Sequence, residues 1–101
     1  MINEALRLLR TFYGYKSIEL AKKIGISQGY LSEIENGKKV PSLEILKKYS
    51  EIFKIKVSTL LFFSEELEKD EKTSVKNNIS KKMIKLLQII EKAGALNEEN
   101  I

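Results

Sequence analysis

The sequence SIELAKKIGISQGYLSEIEN, residues 17–36, predicts two short helices joined by a tight turn. Gly25 stands between the two helical patterns, where glycine allows the positive φ that a sharp reversal after a helix requires. The hydroxyl of Ser27 can then accept a hydrogen bond from an exposed N–H at the start of the second helix. Apolar residues recur at helical spacing and give each helix one face to bury. These apolar residues are Leu20, Ala21, Ile24, Ile26, Leu31 and Ile34.

The second short helix leaves a polar edge outside this predicted core. A short polar helix edge held on a compact partner helix has the shape that enters a DNA major groove. The residues of the edge are Gln28, Gly29, Ser32, Glu33 and Asn36.

Two longer segments carry a family resemblance: ELAKKIGIS, residues 19–27, and YLSEIENGKKVPSLEILKK, residues 30–48. Together they resemble the Xre/Cro family of bacterial and phage helix-turn-helix DNA-binding domains, and the resemblance extends over residues 2–63. It implies an all-α fold, with a five-helix lambda-repressor-like DNA-binding domain over residues 1–63 and the helix-turn-helix motif at residues 17–36. Several motifs in combination are far more specific than any one of them.

The rest of the chain divides into a charged linker and a last helix. Residues 64–79 mix charges with almost no apolar side chains, which is typical of a solvated connector. Residues 80–95 predict an amphipathic C-terminal helix, and a helix this apolar cannot remain isolated in water. We expect it either to dock on the Phe62 and Phe63 region of its own domain or to pair with its copy in a second chain.

Dimerisation is the preferred of these two interpretations. Two-fold DNA sites call for two recognition helices about 34 Å apart. The residues expected in a homodimer interface are Phe62, Phe63, Met83, Ile84, Leu86, Leu87 and Ile90.

Four residues of the recognition helix, residues 28–35, are candidates for reading bases. Gln28 can bond bidentately to adenine N6 and N7, and Glu33 can accept from cytosine N4 or lie solvated outside the footprint. Gly29 costs about 1 kcal/mol of helix propensity relative to alanine, and either close approach of the backbone to DNA or mere tolerance can account for it. Ser32 can bond almost any base or phosphate.

A second group of residues is expected to contact DNA phosphates. The hydroxyl of Ser17 and the first N–H groups of its helix can meet a phosphate, with Ser17 or Lys16 at the N-cap position. In the resembled family, the loop after the recognition helix lies along the DNA backbone. Tyr30 can give its hydroxyl to a phosphate or pack at the helix edge. The phosphate-contacting candidates are Lys16, Ser17, Tyr30, Asn36, Lys38 and Lys39.

The resemblance also implies a structural ion pair. An arginine near the end of the first helix pairs in this family with the glutamate of the ENG triplet, and the matching residues here are Arg10 and Glu35. The alternative is two solvated charges that contribute under about 1 kcal/mol.

Composition narrows the class of protein. The chain has no cysteine and no histidine, which removes disulfides, thiol and imidazole chemistry and the usual zinc ligands. We expect no metal, no cofactor and no catalytic activity, because no nucleophile–base pair or phosphate-binding glycine loop is present. No signal peptide and no membrane span of about 20 apolar residues are evident, so a cytoplasmic location is expected.

The net charge of +4 is unevenly distributed. Residues 1–63 carry eleven Lys/Arg and six acidic residues, whereas residues 64–101 carry seven and eight. The basic surplus therefore falls on the part expected to bind double-stranded DNA, as phosphate contact requires.

Two functional hypotheses follow. The first is a sequence-specific transcriptional regulator, a dimeric repressor that binds a palindromic operator. The second is an antitoxin-like or partner-binding protein on the same fold, which holds a protein partner through its C-terminal helix.

Overall fold

The structure is a computed structural model that describes residues 2–71 and 79–99. These residues form six α-helices and no strand, which confirms the expected all-α class. The helices are α1 (Ile2–Phe12), α2 (Ser17–Ile24), α3 (Gln28–Glu35), α4 (Leu43–Phe53), α5 (Val57–Glu71) and α6 (Ile79–Glu99).

The core is built from one face of each helix. The helix α1 packs against α3, α5 and α6, so it contacts both the short helices and the C-terminal helices. The helix α2 packs on α3 and α4. Burial of apolar side chains against one another is the main source of stability in a domain of this size. The largest fully buried side chains are Leu6, Leu9, Leu20, Leu31, Ile34, Tyr49, Leu60, Phe63, Leu67 and Leu86.

The C-terminal part differs from the expected linker and helix. The helix α5 continues to Glu71 where a linker was expected from residue 64, because Leu67 lies one turn beyond Phe63 and both are fully buried. The remainder of the expected linker, residues 72–78, lies outside the described residues. The helix α6 begins at Ile79 and ends at Glu99, so it is longer than the expected helix at residues 80–95.

The apolar face of α6 packs on α5 and α1 of the same chain. Phe63 and Leu86, both expected in a homodimer interface, have exposures of 0% in the single chain. The expectation that these two residues lie in a homodimer interface is wrong, because docking of α6 within the chain has already removed them from solvent. Met83 and Ile90 are half-buried against the same core, whereas Ile84 and Leu87 remain 55% and 40% exposed.

A buried ion pair accompanies this docking. The Lys82 ammonium on α6 lies 2.8 Å from the Glu4 carboxylate on α1, and the two side chains are 5% and 19% exposed. A buried ammonium is tolerated only when an anion compensates its lost hydration. The pair therefore fixes which part of α6 faces α1.

None of the described helices combines the length and apolarity needed to cross a membrane.

Candidate nucleic-acid interface

The turn between α2 and α3 has the geometry that the sequence predicted. Gly25 adopts φ of 91°, and its N–H donates to the Ala21 carbonyl at 2.9 Å, which closes α2. Ser27 occupies the N-cap of α3, where its hydroxyl accepts from the Tyr30 N–H at 3.0 Å. The two helices bury Leu20 and Leu31 completely, so the pair is held as one rigid unit.

Packing leaves the polar edge of α3 in solvent. Gln28, Gly29 and Ser32 are exposed, as is Asn36 just after the helix, whereas Glu33 is half-buried. Four of the five expected edge residues are thus exposed to solvent.

A hydrogen bond links the starts of the two helices. The Gln28 side-chain amide donates to the Ser17 hydroxyl at 3.0 Å. With Nε2 bound in this way, Gln28 keeps one N–H and its carbonyl oxygen for a ligand, which is the donor and acceptor set that adenine N7 and N6 require. The structure thus joins one expected base reader to one expected phosphate contact.

The beginning of α2 differs from one of the two expected arrangements. Lys16 takes the N-cap position, and its backbone N–H donates to Glu19 Oε1 at 2.8 Å. Ser17 is therefore the first helical residue rather than the cap, and its hydroxyl is available to accept from Gln28. The side chain of Lys16 is exposed beside this pair of helix starts.

The loop after α3 turns back by a compact set of backbone hydrogen bonds. Gly37 has φ of 80°, and the N–H groups of Lys38 and Lys39 both donate to the Glu33 carbonyl, at 2.9 and 3.2 Å. The Asn36 side-chain amide donates to the Ser32 hydroxyl at 3.3 Å. Both lysine side chains are exposed at the end of the recognition helix, where cations can meet phosphates.

Arg10 and Glu35 form the ion pair that the resemblance implied. Arg10 Nε and Nη2 donate to the two Glu35 carboxylate oxygens at 2.8 and 3.1 Å, and Nη1 donates to the Tyr15 carbonyl at 2.8 Å. The hydrogen bond to Glu35 raises the pKa of Arg10 above its ordinary value. All three guanidinium nitrogens have partners inside the chain, so Arg10 holds the end of α3 against α1.

Asn3 is a supporting residue that the sequence analysis missed. Its side-chain amide donates to the Glu35 carbonyl at 3.4 Å and lies below the turn that contains Gly37. A Cβ at Gly37 would stand 3.3 Å from Asn3 Nδ2. A distance of 32 residues separates Asn3 from Glu35, so no local pattern could have indicated this contact.

Tyr30 packs at the helix edge, and its contact with a DNA phosphate stays a prediction. Its side chain is half-buried and packs against the apolar core. This packing holds the start of α3 on the core.

Comparison with known proteins places this geometry in a family. A helix-turn-helix family model, HTH_3, matches residues 6–60. The HTH-type transcriptional regulator SinR of Bacillus licheniformis is 38% identical over 71 residues, which are 69% of this chain and 64% of that protein. SinR of Bacillus subtilis (strain 168) has the same identity and the same coverage. The chain thus spans 64% of the length of these relatives.

Two solved structures show the same architecture. One is the master regulator for biofilm formation SinR in complex with DNA, with a TM-score of 0.56 and 39% identity over 60% of this chain and 98% of that chain. The other is a complex of the SinR and SinI proteins, with a TM-score of 0.56 and 31% identity over 91% of this chain and 98% of that chain. On the family match and these likenesses, the chain belongs to the Xre/lambda-repressor-like helix-turn-helix family.

Proposed function

We propose that this protein is a sequence-specific DNA-binding transcriptional regulator that inserts α3 into the major groove. The observation that carries the proposal is the exposed edge of Gln28, Gly29 and Ser32, held rigidly on α2 and followed by exposed Lys38 and Lys39. A polar edge reads bases, and the cations beside it bind phosphates.

The positive charge of residues 1–63 and the similarity to known transcriptional regulators support this proposal. Eleven Lys/Arg against six acidic residues in residues 1–63 favour a polyanionic ligand. The relatives are transcriptional regulators, and one of the similar structures is a complex with DNA. A binding protein of this kind, acting in the cytoplasm without a cofactor, needs no catalytic group.

We further infer that the regulator works as a homodimer on a palindromic operator, acting as a repressor. Among the side chains that the structure describes on α5 and α6, four large apolar ones remain exposed after α6 has docked. Leu61 and Phe62 are 47% and 50% accessible, and Ile84 and Leu87 are 55% and 40% accessible. Two helices that each keep exposed apolar residues favour a second apolar surface as their cover. The dimer proposed here uses these outward residues rather than Phe63 and Leu86.

A protein partner on the same helices is the second candidate. A structure of SinR with the SinI protein resembles 91% of this chain, a share that extends beyond the helix-turn-helix match at residues 6–60. In this alternative, the exposed side chains of α5 and α6 would hold a different chain and not a copy of this one.

Selection of bound sites from a random duplex library is the experiment that tests the proposal. A palindromic motif is the expected result, because a two-fold dimer presents two recognition helices. A single half-site would overturn the dimer, and failure to bind any duplex even in dilute buffer would overturn DNA binding altogether.

The first prediction separates base reading from phosphate binding. Gln28→Ala should relax the base preference at one position of each half-site, with a loss of about 1–3 kcal/mol on the preferred sequence. Lys38→Ala should weaken binding to all sequences alike and reduce the slope of log K against log salt by about 1.

Lys92→Ala is the matched control, because it removes the same charge from an exposed position on α6. Titration of preferred and random duplexes at several salt concentrations measures all three variants. An unchanged preferred site in Gln28→Ala would show that another residue reads the base.

A further inference from the structure

Gly29 differs from the other glycines of the first five helices and their connections. Gly14, Gly25 and Gly37 adopt φ of 77°, 91° and 80°, a region that side chains other than glycine rarely enter. Each of these three is therefore explained by the backbone. Gly29 lies inside α3 without a positive φ, so its backbone conformation is open to any residue.

Packing inside the protein does not explain Gly29 either. Apart from its two chain neighbours and the backbone of its own helix, no heavy atom lies within 4 Å of a Cβ built at Gly29, and the residue is exposed. Glycine lowers helix stability relative to alanine. The effect is large for α3, which has only eight residues. The missing side chain thus has no function in the fold of the described residues.

The absence of a side chain at residue 29 leaves room for a ligand at the first turn of α3. In a helix each Cα–Cβ bond tilts toward the N-terminus, so a side chain at residue 29 would lie over the first turn of α3. That turn also carries Gln28, whose amide donates to the Ser17 hydroxyl.

From this geometry we propose that Gly29 is the close-approach point of DNA, where the surface of the duplex meets the backbone of α3. A side chain at this position would hold the helix out of the groove and pull Gln28 away from its base. This inference rests on the proposed function and adds to it a steric determinant of how deeply α3 is inserted.

Gly29→Ala and Gly29→Leu test the proposal in the full-length chain. Both residues favour helices more than glycine does, so the melting temperature should equal or exceed that of the parent protein. Affinity for the selected duplex should nevertheless fall by about tenfold in Gly29→Ala, the size of one lost contact, and further in Gly29→Leu.

Ser58→Ala is the matched control. Ser58 is exposed and takes the second position of α5, as Gly29 does in α3, and α5 packs on α1, α4 and α6. This variant should bind DNA like the parent protein.

The outcomes separate this inference from the proposed function. A parent protein that binds no DNA overturns both, whereas a parent that binds and a Gly29→Ala variant that binds equally well overturn only the close approach. A lower melting temperature in Gly29→Ala would also overturn it, because glycine would then be required by the fold. A loss confined to the selected duplex assigns the contact to a base edge, and an equal loss on random duplex assigns it to the phosphodiester backbone.

Discussion

Tyr49 lies in the core with its ring 5.9 Å from that of Phe53, and its hydroxyl has no hydrogen-bond partner among the described residues. The residue is fully buried, so water that solvates the hydroxyl in the unfolded chain is lost on folding. The ring and the hydroxyl therefore contribute with opposite signs. Gln28 is the contrasting case, because its exposed amide has a defined partner in Ser17 and is directed by it.

The second prediction concerns this hydroxyl. Tyr49→Phe keeps the ring and removes the unpaired oxygen, so the free energy of unfolding should rise by about 1 kcal/mol at neutral pH. Urea or thermal unfolding measures the change, and Tyr13→Phe is a matched control at a 44% exposed ring. A loss of stability in Tyr49→Phe would show that the hydroxyl has a partner.

The same substitution should alter the response to alkaline pH. Burial, together with the negative charge of Glu35, raises the pKa of Tyr49 above its ordinary value of 10.0. The unfolded chain therefore releases this proton near pH 10 while the folded chain keeps it. Titration of Tyr49 leaves the free energy of unfolding unchanged below pH 10 and lowers it as pH rises above 10. The parent protein should lose up to about 1.4 kcal/mol more per pH unit above pH 10 than Tyr49→Phe does.

At the scale of elements, α1 connects the helix-turn-helix motif to the C-terminal helix. Arg10 holds the last residue of α3, and Glu4 on the same helix holds Lys82 of α6. Both pairs are largely buried, and a buried pair is costly to break because the remaining charge loses its compensation. The orientation of α3 and that of α6 thus depend on charges of a single helix.

The third prediction tests the pair at the end of α3. Glu35→Ala leaves the Arg10 guanidinium, 18% exposed, without its carboxylate and should lower the free energy of unfolding by about 2–4 kcal/mol. Chemical unfolding of Glu35→Ala, Arg10→Ala and the double variant gives the coupling energy. Glu33→Ala, on the same helix with a half-buried side chain, is the control and should change stability far less. Additive effects of the two substitutions would contradict a direct pair.

The fourth prediction tests the docking of α6. Glu4→Ala should leave Lys82 buried without an anion and release α6, at a cost of about 3–5 kcal/mol. Hydrogen exchange should then lose protection in α6 but keep it in α2 and α3. Glu66→Ala is the matched control, because its partners Lys69 and Lys85 are 72% and 27% exposed, and such pairs contribute under about 1 kcal/mol. Unchanged protection of α6 in Glu4→Ala would show that apolar contacts alone hold the helix.

At the scale of the whole molecule, docking of α6 leaves exposed apolar side chains on α5 and α6 that make up the proposed dimer surface: Leu61, Phe62, Ile84 and Leu87. Dimerisation through this surface would bring two DNA-binding domains into one particle. The distance between their recognition helices would then depend on how α6 is held on α1, since the interface and the DNA-binding edge are joined through α1.

The fifth prediction tests this assembly. Leu87→Lys places a charge on the proposed interface and should convert the dimer to a monomer that remains folded, since Leu87 is 40% exposed in the single chain. Sedimentation at a series of concentrations measures the change, and affinity for a palindromic duplex should fall while that for a half-site is kept. Thr11→Lys adds the same charge at an exposed position of α1 and should leave the dimer intact. A parent protein that is monomeric at all concentrations would overturn the interface.

Local features of the helix-turn-helix part could be predicted from contiguous residues. The αL glycine at Gly25, the cap at Ser27 and the buried faces of α2 and α3 all match their predicted roles. Each depends on hydrogen bonds and periodicity within a few residues, so the necessary information lies in a short stretch of chain. The ion pair of Arg10 with Glu35 joins distant residues, and it was accessible only through family resemblance.

The tertiary structure alone decided what covers each apolar face. By itself the sequence determined that α6 needs a cover, but it left open whether its own domain or a second chain provides it. Docking on α5 and α1 buries Phe63 and Leu86 and brings Lys82 to Glu4, 78 residues away along the chain. Periodicity shows that a helix face is apolar but does not identify the surface that covers it. Burial against any apolar surface stabilises the helix to a similar degree. The shape of the packed helices and the pairing of Lys82 with Glu4 select the surface on which α6 docks. Both exist only after the chain has folded.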